Sequence, residues 1–327
     1  MTKPRALLSD HNYLDVELEQ TLFADAGIEL TIAHCKTEAE VIHAARGCFG
    51  ILLQYAPIGE AVVSALPDLG IVSRIGAGFD TVDTDACARH GVWVANSPDY
   101  GIGEVSTHAL ALALAMMRNI VGFQRDIQAG EWSYLSSGPI RRASEMTLGI
   151  LGLGRIGKRM AHISRDVFKR VIACDPYLID GDFPAYVERV DRQGLFEQSD
   201  VVSIHTPLNA ETRNIVNAQM LQSMRRGSYV VNTSRGAVVN VDHLLSAIDS
   251  GILAGAALDV LPTEPVDRSS RLLGHPKIIL TPHAAFFSVQ SAVELRRKAA
   301  TNLVSWLRKG RPDYVVVPGV RQPKPLS

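Results

Sequence analysis

Short apolar runs recur along the first hundred residues at intervals of about twenty, and the stretches between them have helical spacing. Arg5 to Ser9, Glu29 to Ala33, Gly50 to Leu53, Ile71 to Arg74 and Val92 to Ala95 have the length and aliphatic content of strands. Asp15 to Phe23 and Glu38 to Ala45 read as helices stopped by Gly27 and Gly47. Strands alternating with helices predict a parallel sheet in a doubly wound α/β unit. A second series follows, with strands at Thr147 to Leu151, Arg170 to Cys174, Val201 to Ile204, Tyr229 to Asn232 and Gly255 to Leu258.

Between the two series, Glu104 to Gly130 has helical spacing but is apolar on too many faces for a simple surface helix, which predicts burial between subunits, with burial inside the monomer as the alternative. Ser133 to Glu145 is polar. Val289 to Lys309 is the last helical pattern, ended by Gly310, and the Pro-rich stretch Pro318 to Ser327 predicts a disordered tail.

A length of 327 residues suits two domains of ordinary size. The balance of 33 basic and 34 acidic side chains argues against nucleic acid or an acidic membrane surface as partner. The longest apolar stretch, Ala109 to Met117, is far shorter than the roughly 20 residues of a membrane span, and the N-terminus carries no apolar signal core. The expectation is a cytoplasmic protein. Cys35, Cys48, Cys87 and Cys174 are too scattered for a zinc site or a dithiol motif and read as buried free thiols, with no metal expected.

Candidate chemistry begins after the strand at Thr147. Gly152, Gly154 and Gly157 form G-x-G-x-x-G around Leu153, Arg155 and Ile156, at the mouth of a helix. Such glycines let a pyrophosphate approach the free N–H groups and positive end of the helix. Asp175, eighteen residues beyond Gly157 at the end of the next strand, is placed to bind the ribose hydroxyls and repel a 2'-phosphate. No arginine immediately follows it, so NAD is expected over NADP.

Farther on, Arg235 stands just past a strand, where its planar fork suits a carboxylate beside a carbonyl. Glu264 and His283 follow two more apolar strands; together the three suit hydride transfer, with the histidine moving the proton and the glutamate fixing its tautomer. Singly, each has a plainer use: a surface ion pair for Arg235, a turn before Pro265 for Glu264, a loop histidine for His283. Their joint arrival downstream of a nucleotide fingerprint favours chemistry. His205 reads as lining the cofactor crevice, and His108 stands inside the long helix with no comparable context.

The ordered set Gln54-Tyr-Ala-Pro57, Arg74-Ile-Gly-Ala-Gly-Phe-Asp80, the glycine motif, Thr206-Pro-Leu-Asn-Ala-Glu-Thr212, Asn232-Thr-Ser-Arg-Gly236 and Thr281-Pro-His-Ala-Ala285 resembles the D-isomer-specific 2-hydroxyacid dehydrogenases. The nearest branch is that of phosphoglycerate dehydrogenase-like and C-terminal-binding-protein-like members. The resemblance implies a Rossmann NAD-binding domain over 101–286 and a discontinuous, flavodoxin-like substrate domain from 1–100 with 287–327. It implies that Arg235 binds and polarises a 2-oxo acid, that Glu264 pairs with His283, and that His283 is the acid/base. Tyr55 and the turn Gly76-Ala77-Gly78 are implied to meet the substrate. Ala77, Val105, Thr206, Pro207, Thr212, Thr233, Ser234, Asp259, His283 and Ala285 are implied to line the NAD crevice. The implied partners are a small 2-oxo or 2-hydroxy acid and a second copy of the chain, a homodimer formed through the NAD domain. Thr107, where many members carry an acid, and Phe286 beside His283 depart from the common pattern. An NAD-sensing corepressor-like binding protein and a phosphite-type dehydrogenase are the alternatives within the same resemblance.

Overall fold

A computed structural model describes residues 3–323. In chain order its elements are β1 (Arg5–Leu8), α1 (Glu17–Asp25), β2 (Glu29–Ile32), α2 (Glu38–Ala44), β3 (Gly50–Leu53), α3 (Glu60–Ala65), β4 (Ile71–Arg74), α4 (Thr84–Arg89), β5 (Trp93–Ala95), α5 (Ile102–Met117) and α6 (Ile120–Gln128). Then come β6 (Thr147–Leu151), α7 (Arg155–Ser164), β7 (Arg170–Cys174), β8 (Glu188–Arg189), α8 (Arg192–Gln198), β9 (Val201–Ile204), α9 (Ala218–Gln222) and β10 (Ser228–Asn232). The last are α10 (Val241–Asp249), β11 (Leu253–Leu258), β12 (Ile278–Leu280), α11 (Val289–Lys309) and β13 (Val315–Val317). They fall into two compact units, one made of the stretch up to Tyr100 with the stretch from Ser288 onward, the other of Gly101–Phe287.

The first unit has a six-stranded sheet in the order β13-β5-β4-β3-β1-β2, parallel except for β13, which runs antiparallel to β5. Helices covering both faces leave Gly50 to Leu53 of central β3 wholly buried, which explains its unbroken apolar run. The helix α11 is capped by Ser288, whose Oγ accepts from the Ser291 N–H at 2.9 Å, and ends at left-handed Gly310. It is tied to α1 by a buried pair in which the Arg296 Nε donates to Glu19 at 2.7 Å.

The stretch from Pro318, expected to be disordered, is held down over its described part. The Arg321 guanidinium donates to the carbonyls of Leu69 at 2.6 Å and Leu66 at 3.1 Å, and the Trp93 indole donates to the Arg321 carbonyl. One planar cation thus satisfies several loop carbonyls together, a tertiary effect that a Pro-rich composition does not disclose. Residues 324–327 of that expected tail lie outside the described residues.

The second unit has a seven-stranded parallel sheet in the order β12-β11-β10-β9-β6-β7-β8. The strand order reverses between β6 and β9, and open sheets of this kind bind ligands at such a switch point, outside the carboxyl ends of the strands. The single long helix expected from Glu104 to Gly130 is two helices, α5 and α6, bent by 57° at Asn119, which adopts a left-handed backbone. Val105, Ala109, Leu112, Ala113 and Met117 bury one face of α5 inside this unit, against α7 and β10. That face is buried within the monomer, while Leu110, Leu114 and Met116 are only partly covered. Among the described residues no single helix is long and apolar enough to cross a membrane.

Candidate active site

Three neighbouring parallel strands, β10, β11 and β12, deliver the predicted catalytic side chains to one sheet edge, since each side chain lies in the loop beyond the carboxyl end of its strand. At the end of β10 the fully buried Asn232 shapes the turn. Its Oδ1 accepts from the Ser234 N–H at 3.0 Å, and its Nδ2 donates to the Arg235 carbonyl at 2.9 Å. Arg235 leaves this turn with its guanidinium donating to the Ser234 carbonyl at 2.8 Å.

His283 Nδ1 and Glu264 Oε2 are 2.8 Å apart. With Nδ1 donating to the carboxylate, Nε2 is the nitrogen left to exchange a proton. Burial on its own would raise the Glu264 carboxyl, but the hydrogen bonds from His283 and the Leu261 N–H, with the nearby charges of His283 and Arg235, hold it below the usual carboxylate range. Glu264 therefore stays an anionic acceptor at neutral pH.

His283 itself adopts a left-handed backbone with φ of 54°, rare for a residue with a side chain and costing on the order of 1 kcal/mol or more. The compensation comes from Asp259. Its carbonyl accepts from the His283 N–H at 2.8 Å, and its carboxylate accepts from Thr281 Oγ1 at 2.5 Å and from the N–H groups of Ala284 at 2.8 Å and Ala285 at 2.9 Å. Asp259 and Ala285, expected to line the cofactor crevice, are both buried, and the Asp259 carboxylate is committed to the histidine loop.

At the switch point a cleft of about 1250 Å³ gathers Gly152, Gly154, Asp175, Thr206, Pro207 and Thr212 from the expected cofactor residues, with His205. Gly152 has φ of 92°, and a Cβ there would stand 2.8 Å from the Thr206 N; a Cβ on Gly157 would run into the Gly152 carbonyl oxygen. Backbone this close beside the N-terminus of α7, where Arg155 and Ile156 open the helix, is the cradle a pyrophosphate needs, so these residues fit a dinucleotide. Asp175 tightens the loop by accepting from the Leu153 N–H at 2.8 Å. The Ser234 hydroxyl donates to the Thr206 carbonyl, joining the arginine turn to this crevice, while Thr233 and Val105 are buried nearby in sequence to Ser234 and within α5.

The cleft also receives Arg189 and Arg192, from the next strand and helix after Asp175, and Arg213, from farther along the chain. The absence of an arginine directly after Asp175 therefore said little about the charge around it. Arg189 is neutralised by Asp180, and Tyr177 donates to Glu211 at 2.8 Å along the same wall. In the other unit, Tyr55 follows β3 and is half exposed, and the Gly76-Ala77-Gly78 turn follows β4, where the Asn96 amide donates to the Ala77 carbonyl at 2.6 Å.

Residues 110–285 match the NAD binding domain of the D-isomer specific 2-hydroxyacid dehydrogenases. The chain belongs to this family. It is 32% identical to a glyoxylate reductase of Thermofilum pendens over 83% of this chain and 81% of that protein. It is 30% identical to a glycerate dehydrogenase of Methylorubrum extorquens, over 86% and 89%. Its fold superposes with a TM-score of 0.88 on a glyoxylate reductase from Paecilomyes thermophila, 26% identical and covering 97% of this chain and 99% of that one. An NADPH-dependent glyoxylate/hydroxypyruvate reductase from Sinorhizobium meliloti gives 0.87 at 26% identity, covering 99% and 100%. As a member, the chain is an oxidoreductase of two Rossmann-type domains that interconverts a 2-oxo acid and a 2-hydroxy acid with a nicotinamide dinucleotide.

His205 offers a pH test of the crevice. Its Nε2 lies 2.8 Å from Ser203 Oγ, and although the residue is partly exposed at the cleft, burial of the ring pushes its pKa down from 6.5 to about 4. Between those values the unfolded chain binds a proton that the folded chain does not, so this contribution to stability is complete above about pH 6.5 and is lost as pH falls toward 4. His205→Asn should flatten that loss, gaining about 2–3 kcal/mol on wild type between pH 7 and pH 4.5 at roughly 1.4 kcal/mol per pKa unit. Urea denaturation at the two pH values measures it; equal pH slopes for both proteins would contradict the neutral buried form.

Proposed function

We propose that the chain is an NAD-preferring D-2-hydroxyacid dehydrogenase of short 2-oxo acids such as glyoxylate and hydroxypyruvate. The observation that carries this reading is the His283–Glu264 pair on the same sheet edge as Arg235. Relatives named glyoxylate reductase and glycerate dehydrogenase support the substrate class.

Bound NADH supplies the hydride in reduction, and NAD accepts it in oxidation. Arg235 grips the substrate carboxylate and polarises the 2-oxo group, drawing charge onto the oxygen that is to become the alcohol. His283 Nε2 gives that oxygen a proton in reduction and takes it back in oxidation, while Glu264 holds Nδ1 and favours the imidazolium. Tyr55 and the N–H groups of Gly76, Ala77 and Gly78 are assigned to the substrate. Gly152, Gly154, Arg155, Ile156, Gly157 and Asp175 serve the cofactor, with Ala77, Val105, Thr206, Pro207, Thr212, Thr233 and Ser234. The four buried free cysteines agree with a reducing compartment, the cytoplasm.

His283→Ala should lower turnover with glyoxylate or hydroxypyruvate on the order of 10²- to 10⁴-fold with NADH affinity little changed. Arg235→Lys should raise KM as well, because an ammonium lacks the planar fork. Steady-state kinetics over a panel of 2-oxo acids tests both; near wild-type turnover in His283→Ala would reject the assignment.

Asp175 should make NADH the better coenzyme, and Asp175→Ala should narrow its lead over NADPH by removing the repulsive carboxylate. A wild-type preference for NADPH in kcat/KM would reverse this assignment and shift the weight to Arg192 and Arg213.

We infer a homodimer through the NAD unit, with its contact on α6 and the loop after it rather than along α5. Ile120, Ile127, Trp132, Tyr134 and Leu135 expose a run of large apolar side chains there, with Trp132 88% exposed. Light scattering should give twice the chain mass at micromolar concentration, and Trp132→Asp should shift it toward the monomer; a monomeric wild type rules the dimer out.

A further inference from the structure

We propose that His108, on α5, is a positioning residue that acts on His283 through Thr281 and Asp259, an inference that rests on the assignment of His283 as the acid/base. His108 Nε2 lies 3.1 Å from Thr281 Oγ1 and 3.6 Å from Asp259 Oδ1. The Thr281 hydroxyl has a single proton, and it goes to Asp259 Oδ1 at 2.5 Å. The hydroxyl oxygen must then accept from His108, so Nε2 carries a proton. The direction of the relay is set: His108 donates to Thr281, and Thr281 donates to Asp259.

The same carboxylate accepts from the N–H groups of Ala284 and Ala285, the two peptides that follow His283. Asp259 is buried with its side chain 1% exposed, and the His108 ring lies within ion-pair distance of it. The donor sits on a sixteen-residue helix packed against α7, whereas the acceptors belong to a short irregular loop that carries a left-handed histidine. His108 thus references the irregular loop to the helix. Without it the Thr281 oxygen loses its donor, the Thr281–Asp259 bond is no longer braced from the helix, and the turn that aims His283 loosens.

Misplacement of a reacting group by about 1 Å costs on the order of 10²-fold in rate. His108→Ala should therefore lower kcat roughly ten- to a hundredfold, with KM for the 2-oxo acid and NADH affinity near wild type, because Arg235 and the glycine loop are untouched. His108→Gln should restore most of the rate, since its terminal amide reaches the Nε2 position and donates. His108→Asn, whose amide stops at the Nδ1 position, should not. Added to His108→Ala, Thr281→Val should cost far less than it does alone, since both break one relay. The NMR signals of the isotopically labelled His283 ring should shift in the Ala and Asn variants and return in Gln, a readout independent of turnover.

Equal rates for the Gln and Asn variants, or an unchanged rate and unchanged His283 signals in His108→Ala, would overturn the positioning role. If the wild type reduces no 2-oxo acid in the panel while the His283 signals follow the Ala, Asn, Gln pattern, the relay stands and the reading of the activity falls.

Discussion

A buried carboxylate at the end of one strand, Asp259, holds the His283 loop in a conformation the loop would not keep by itself. With His283 at φ of 54° the chain must hold a backbone geometry that favours glycine, and three side-chain or backbone donors from Thr281, Ala284 and Ala285 converge on Asp259 to maintain it. A buried carboxylate without such donors would itself be costly, so the anion and the loop stabilise each other. The imidazole is thereby brought within 2.8 Å of Glu264.

The parallel sheet of the second unit supplies the rest of the constraint. Adjacent strands β10, β11 and β12 all point their carboxyl ends to one edge, so residues nearly fifty positions apart, Arg235 and His283, share it. The strand-order reversal between β6 and β9 opens the dinucleotide cleft on the same edge. Backbone approach at Gly152 and Gly157 is so close that the first Cβ would be obstructed, which is the steric reason for glycine at both positions.

Electrostatics divides the work between two acids of similar sequence context. Asp259 is enclosed and fully hydrogen-bonded, and serves geometry. Glu264 is half exposed, touches the imidazole directly, and is held below its ordinary pKa by the groups around it, so it serves charge. Both lie beyond β11 in one short segment. Burial and donor count, rather than residue type, assign their roles.

The local pattern of the chain determined most strand positions, since short aliphatic runs set between polar or glycine residues have few other ways to bury themselves: Gly50–Leu53, Thr147–Leu151, Arg170–Cys174 and Val201–Ile204 are strands at the predicted bounds. It also singled out Arg235, Glu264 and His283 as candidates, because each stands within a few residues of the end of such a run. Tertiary structure alone decided what depends on distant partners. The break of the long apolar helix at Asn119 and the arrival of Arg189, Arg192 and Arg213 beside Asp175 are not written in the local pattern, and the anchoring of the chain after Pro318 by Arg321 and the link from His108 to Asp259 join segments far apart in sequence. Periodicity and spacing report which face of an element is apolar, but a hydrogen bond across more than a hundred residues exists only once packing has closed the distance.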